Sequence, residues 1–271
     1  MDEFFDLRGT FTWIFDCVKV KYGPIDVASL ADLEGNEYDE APVIDEENVV
    51  VGVVSTDNLR SKFERNLPLL PDDSSIRFEK VLVDVRPDDF LSKLEAHRSV
   101  FVARGDGEVV GLFTISDLNR HEIRSQIYPR LADLESKLAS AIEDEFPDPW
   151  DWLAWLGDGA IGVVGHWEIL KRNGLNLGAS AGANLSQLLQ VAENHENLWR
   201  QLKFPSKSKC GDFRRSVTNI RNAVMHPARP LIESHGKVRS LRKVLNIVEE
   251  ASAGLRTREK LKRLGVNSYF S

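Results

Sequence analysis

The sequence is nearly free of cysteine. Cys17 and Cys210 stand alone and far apart among 271 residues, which excludes a disulfide framework or a zinc knuckle. Long apolar runs are also missing. The longest, such as Val49–Val54, are strand-length and fall well short of the roughly 18–20 residues that span a bilayer. The opening Met1-Asp2-Glu3-Phe4-Phe5-Asp6 is acidic and lacks the basic stretch of a secretory leader. His166, His195 and His235 share no spacing typical of a metal site. Gly174–Gly182 is rich in small residues but has no Gly-Lys-Ser/Thr ending, so it fails as a phosphate-binding loop and reads as a flexible connection. These absences together point to a soluble, cytoplasmic protein with no membrane partner and no structural metal.

What remains is ample core material. Hydrophobic residues make up 42% and charged residues 28%, enough for two domains at roughly 100–200 residues each. The net charge of −7 is unevenly spread: the first 60 residues are acidic, whereas residues 200–243 hold twelve Lys/Arg against Asp212 and Glu233. An acidic front and a basic back suggest separate jobs for the two parts.

Comparing the chain with itself gives the clearest signal of the first half. Shifted by 59 positions, Gly52-Val53-Val54-Ser55-Thr56-Asp57-Asn58-Leu59 lies on Gly111-Leu112-Phe113-Thr114-Ile115-Ser116-Asp117-Leu118. Such self-similarity means two copies of one supersecondary unit. The second copy reads as helix Pro87–His97, strand Ser99–Ala103, a turn at Arg104–Gly107, strand Val109–Thr114, then a helix capped by Ser116 or Asp117. The first copy follows more loosely, with strands Ala41–Asp45 and Val49–Ser55, while Phe11–Leu33 shows no clean opening helix.

On Gly111–Asp117 and Gly52–Asn58, residues 10–125 resemble a tandem cystathionine-β-synthase (CBS) domain pair. The resemblance implies a pseudo-symmetric α+β module that often binds adenosine compounds such as ATP, AMP or S-adenosylmethionine, and that in other cases dimerises with empty clefts. A hydroxyl at a helix N-terminus can hold a phosphate, and a carboxylate or amide three residues later can reach ribose hydroxyls. Thr114 and Asp117 are accordingly the better candidate nucleotide-binding pair, with Ser55 and Asn58 the weaker one. The same residue types also serve as plain helix caps.

From Tyr128 onward the pattern turns helical. Leu131, Leu134, Leu138 and Ile142 mark an amphipathic helix ending near Phe146-Pro147. Three tryptophans, Trp150, Trp152 and Trp155, read as packing. Helices are expected over Ala160–Leu170, Leu185–Leu202 and Asp212–Met225, with a last one through Leu241–Val248. The third carries Phe213, Val217, Ile220 and Val224 as its buried stripe and ends in Arg221-Asn222-Ala223-Val224-Met225-His226 against Pro227. A proline there leaves the histidine at the helix C-terminus.

Arg-Asn-x-x-x-His at the end of a basic helix resembles the HEPN superfamily of all-helical domains, over about residues 128–250. The resemblance implies a metal-independent endoribonuclease that needs no cofactor and whose two protomers line one composite cleft. Arg221, Asn222 and His226 are then the catalytic candidates. Histidine, with an ordinary pKa of about 6.5, suits proton transfer near neutrality. Arg221 can fork onto phosphate oxygens, and Asn222 can orient either the imidazole or the RNA. Lys207, Lys209, Arg214 and Arg215 would hold the RNA backbone without reading sequence. A tyrosine often found two positions after the histidine is replaced by Ala228, so control by adenylylation there is not supported.

The expected architecture is therefore α+β: a tandem CBS pair over residues 1–126 and a HEPN-like helical bundle over 127–271. Its expected role is an RNA-cleaving homodimer gated by an adenine nucleotide, of the kind that acts as a toxin or in defence. The alternative is a non-catalytic nucleotide-binding or dimerisation regulator on an inactive HEPN-like scaffold.

Overall fold

The computed structural model describes residues 5–14, 16–35, 38–74, 80–97 and 99–263, with side chains described through Leu255. Along the chain, β1 (Phe5–Asp6) and β2 (Thr12–Trp13) precede a first copy made of β3 (Val20–Lys21), α1 (Val27–Gly35), β4 (Glu40–Ile44), β5 (Val50–Ser55) and α2 (Thr56–Glu64). The second copy comprises β6 (Lys80–Leu82), β7 (Asp84–Val85), α3 (Pro87–Ala96), β8 (Ser99–Ala103) and β9 (Val109–Thr114). A 3₁₀ turn at Ser116–Asn119 follows, then α4 (His121–Glu145), α5 (Trp150–Leu153), α6 (Gly159–Arg172), α7 (Leu185–Asn194), α8 (Glu196–Gln201), α9 (Lys207–Met225) and α10 (Val238–Arg263).

Two compact units result. One takes the described residues up to Ile123 together with Ile232–Arg239, and the other takes Arg124–Leu231 with the described residues from Ser240 on. The segment Ile232–Arg239 joins the first unit by specific bonds. The Asn119 side chain donates to the Ile232 carbonyl at 3.0 Å and accepts its N–H at 2.9 Å, and the His235 ring lies 3.0 Å from the Leu94 carbonyl.

The repeat is written into the strand register. In the first copy β3 runs parallel to β4, and β4 antiparallel to β5. In the second, β6 and β8, then β8 and β9, pair the same way. Glu40 faces Ser55 as Ser99 faces Thr114, and Val43 faces Gly52 as Val102 faces Gly111. The β-bulge falls at Val43/Ile44 in one and Val102/Ala103 in the other. Each of these positions translates by the 59 residues of the sequence repeat. The opening strands do not: Val20 pairs with Val43, and Val81 with Val102, a spacing of 61. Two extra residues between opening strand and hairpin explain why the first copy has no clean start under a gap-free shift. The Ser99 hydroxyl donates to the Glu40 carboxylate, so residues that are counterparts under the repeat touch each other.

Packing differs between the copies. β5 alternates buried and half-exposed residues, whereas β9 is buried along its middle on both faces, the pattern of a strand covered on two sides. The cover on the sheet edge is β2, which pairs antiparallel with β9, Thr12 opposite Leu112 and Trp13 opposite Gly111. Gly111 is required there. A Cβ on it would fall inside the Phe11 ring and 2.8 Å from the Thr12 carbonyl oxygen. Gly111→Ala is expected to cost about 1–3 kcal/mol through overpacking, seen as a lowered thermal midpoint; an unchanged midpoint would mean that Phe11 packs elsewhere.

In the second unit α4 runs through Pro129 and buries Ile127, Leu131, Leu134, Leu138 and Ile142. The helix expected over Leu185–Leu202 is interrupted. His195, extended at φ −125°, closes α7 and opens α8, and its ring stacks on Trp155 and meets Phe146 edge-on. Gly174–Gly182 is not a loose connection throughout. A 3₁₀ turn forms at Ala179–Gly182, Ser180 donates to Glu143, and a Cβ on Gly178 would fall on the Glu143 carboxylate. Trp152 is fully buried and Trp155 half-buried, but Trp150 is 61% exposed.

Candidate functional site

The site lies on α9. Its N-terminus is set by Ser206, whose hydroxyl accepts the Lys209 N–H at 3.3 Å. Phe213, Val217 and Val224 are buried as the spacing predicts, with Ile220 half-buried. The last regular helical bond runs from the His226 N–H to the Asn222 carbonyl at 3.0 Å, and the Arg229 N–H then bonds the His226 carbonyl at 2.9 Å. His226 is therefore the capping residue, and it is solvent-exposed.

Arg221 is half-buried and lines a cleft of about 160 Å³ with Asn184, Leu185, Ser186, Thr218 and Asn222. Its guanidinium donates to Asn222 Oδ1 at 3.4 Å, so the Asn222 amide engages the arginine. From α4, Glu135 accepts the Leu185 N–H at the start of α7. Burial pushes the Glu135 carboxyl above the usual glutamate range, and the positive charge of Arg221 pulls it back. The cleft thus combines a cation, two amides and two hydroxyls, with the Glu135 carboxylate acting on Arg221 from α4. Arg124 donates to the carbonyls of Ala223 and Arg229 on either side of His226. Neither Glu135 nor Arg124 was singled out by motif, although Arg124 sits in step with Ile127, Leu131 and Leu134 on an otherwise apolar stripe, an anomaly the sequence does display.

The four basic residues near the start of α9 are engaged. Lys207 donates to Asn194 Oδ1 at 2.8 Å, and Arg214 pairs with Glu193 at 2.8 Å. Arg215 and Lys209 approach Asp212 at 2.6 and 3.9 Å. Such exposed pairs are worth little, so phosphate could compete for Arg215 and Lys209. Arg214, held in a half-buried pair, is tied more firmly.

In the first unit the two candidate nucleotide pairs differ. Thr114 donates to Asp117 Oδ2 through its N–H at 2.7 Å and its hydroxyl at 3.0 Å, while Arg120 Nε sits 2.7 Å from Oδ1. Asp117 is only 5% exposed. The groups expected to meet a ligand meet each other. In the other copy Ser55 is exposed and accepts the Asn58 N–H at 3.2 Å, and Asn58 Nδ2 donates to the Asp73 carbonyl at 3.1 Å. Here the hydroxyl lies open.

Burial pushes the Asp117 carboxyl above the usual aspartate range, against the Thr114 N–H, the Arg120 charge and the Thr114 hydroxyl, which pull it down. With a folded value above the unfolded value of about 3.9, its contribution to folding is present below about pH 4 and lost as pH rises through the raised value. Wild type is expected to lose stability relative to Asp117→Asn as pH climbs from about 4. Urea unfolding across that range checks it, and a difference moving in the wild type's favour overturns the assignment.

Neither thiol is a nucleophile at neutral pH, since burial pushes Cys17 up to about 11 and Cys210 up to about 12. Among the described residues, no group of three His, Cys, Asp or Glu is placed to hold a metal, and no helix is long and apolar enough to cross a membrane.

No family model and no curated protein matches the chain. Among solved structures it is similar to a CBS domain-containing protein from Bacillus anthracis, at 16% identity over 41% of this chain and 88% of that one, with a TM-score of 0.36. It is also similar to CBSX2 in complex with AMP (19% identity, 46% and 97% covered, TM-score 0.36). A third is the CBS domain of a bacterial CNNM/CorC family Mg2+ transporter in complex with ATP (20% identity, 42% and 83% covered, TM-score 0.36).

Proposed function

We propose that this protein is a metal-independent endoribonuclease of the HEPN type, carried on a CBS pair that senses an adenine nucleotide. The observation that carries this reading is the end of α9. Pro227 stops the helix so that His226 stands exposed, and five residues earlier Arg221 lines a polar cleft. In the reaction the RNA 2′-oxygen forms a bond to phosphorus and the bond from phosphorus to the 5′-oxygen breaks. The imidazole of His226 carries a proton off the 2′-hydroxyl or onto the leaving oxygen. Arg221 stabilises the phosphorane charge, where a fixed cation gains most. The products are a 2′,3′-cyclic phosphate and a 5′-hydroxyl. A homodimer would supply two such histidines to one cleft, in keeping with a cytoplasmic toxin or defence role.

For the nucleotide, ATP, AMP or S-adenosylmethionine, the pair with the exposed Ser55 hydroxyl, Ser55 and Asn58, is the readier of the two sites, because a ligand at Thr114 and Asp117 has to displace Arg120. A second reading is favoured by the engagement of Lys207, Arg214 and Arg215 with their own neighbours: a nucleotide-binding regulator whose helical unit is a scaffold without catalysis. Incubating the full chain with total RNA in EDTA, against His226→Ala and Arg221→Ala, separates them. Cleavage by wild type and neither variant supports the nuclease; no cleavage by any of the three, with nucleotide retained, supports the regulator.

A further inference from the structure

The proline that ends α9 creates a specific deficit. In a continuing helix the Ala223 carbonyl would accept the N–H of the residue four positions on. That residue is Pro227, which has no N–H to give. The Ala223 carbonyl is thereby left without a helical partner in the turn that presents His226. Arg124 fills the place. From α4, 3% exposed, it donates through one guanidinium nitrogen to the Ala223 carbonyl and through the other, at 2.8 Å, to the Arg229 carbonyl. These carbonyls lie three residues before and three after His226.

We propose that Arg124 is the positioning residue of His226, a two-pronged clamp that fixes the proline turn and so the direction of the imidazole. The proposal rests on reading His226 as the proton-transfer group. A planar guanidinium holds two carbonyls at once in a fixed fork, whereas an ammonium is a point donor. Lysine at this place keeps the charge and loses the span. Burying a cation is costly unless it is hydrogen-bonded, and spending one on two main-chain carbonyls makes sense where the geometry between them matters.

The test compares wild type, Arg124→Lys, Pro227→Ala and the double variant as full chains, with RNA in EDTA, alongside NMR of the His226 ring and thermal unfolding. Misplacement of a reacting group by about 1 Å costs on the order of 100-fold. Arg124→Lys is expected to lower kcat by about 10–100-fold with KM within about twofold, and to shift the His226 ring signals. Pro227→Ala restores an N–H for the Ala223 carbonyl, so adding Arg124→Lys to it is expected to cost less than in wild type. An unchanged kcat in folded Arg124→Lys with unmoved ring signals overturns the clamp, as does an equal loss in both backgrounds. If wild type cleaves no RNA, the nuclease reading fails on its own, and the ring signals still decide whether Arg124 places His226.

Discussion

Alanine at position 226 is expected to slow RNA cleavage by about 10²–10⁴-fold, the usual worth of a positioned acid or base. Because His226 is exposed and caps α9 through its backbone, the stability change should stay within about 0.5 kcal/mol. Activity and folding are thus separable in one variant, and a gel assay beside a thermal melt reads both. Arg221→Ala should lose about 10²–10³-fold, the size expected when a donor to a developing anion is removed. Its stability should fall too, since the half-buried Glu135 loses the charge that favours its ionised form. The double variant should be little slower than the worse single one, because groups acting as a unit do not add. Cleavage by His226→Ala at more than a tenth of the wild-type rate would remove the assigned chemistry.

The largest stability effect is expected at Phe113. Its ring is fully buried in β9 and meets Phe90 edge-on at 4.8 Å, and Phe90 in turn meets Phe5 at 6.2 Å. Truncation to alanine removes one end of this chain of three edge-on rings, strips Phe90 of its nearest aromatic neighbour and leaves a cavity in the core, at about 3–5 kcal/mol. Against a typical total of about 5–15 kcal/mol, that brings the first unit close to unfolding at 37 °C. Hydrogen exchange at the β8 and β9 amides is the direct readout. Protection within tenfold of wild type would mean that the site collapses around the gap.

The hairpin halves of both copies were legible in the sequence because their signal is local: β-branched strands, a tight turn and a glycine at a fixed place. The opening strands were not. β3 is two residues long, and its place is set by pairing to β4 across a helix, which leaves little periodicity to read. Within the helical unit the apolar stripe of Leu188, Val191, His195 and Leu198 runs straight through the break at His195. The interruption comes from Phe146 and Trp155, which gather around that ring from elsewhere in the chain. At the site, His226 was placed by Pro227 alone. Arg124 was missed because its partners are carbonyl oxygens, which every residue owns and no motif records.

The shared register of the two hairpins has a consequence for how the chain reaches this fold. β5 and β9 present the same register and the same bulge to their partners, although Pro42 in β4 has no N–H where its counterpart Phe101 in β8 has one. Strand register alone therefore does not tell the two hairpins apart. The difference lies at the amino-terminal edge, where Phe11 sits over Gly111 and β2 closes the side of β9. Phe11 and the short β2 thus mark one copy of a duplicated sheet off from the other.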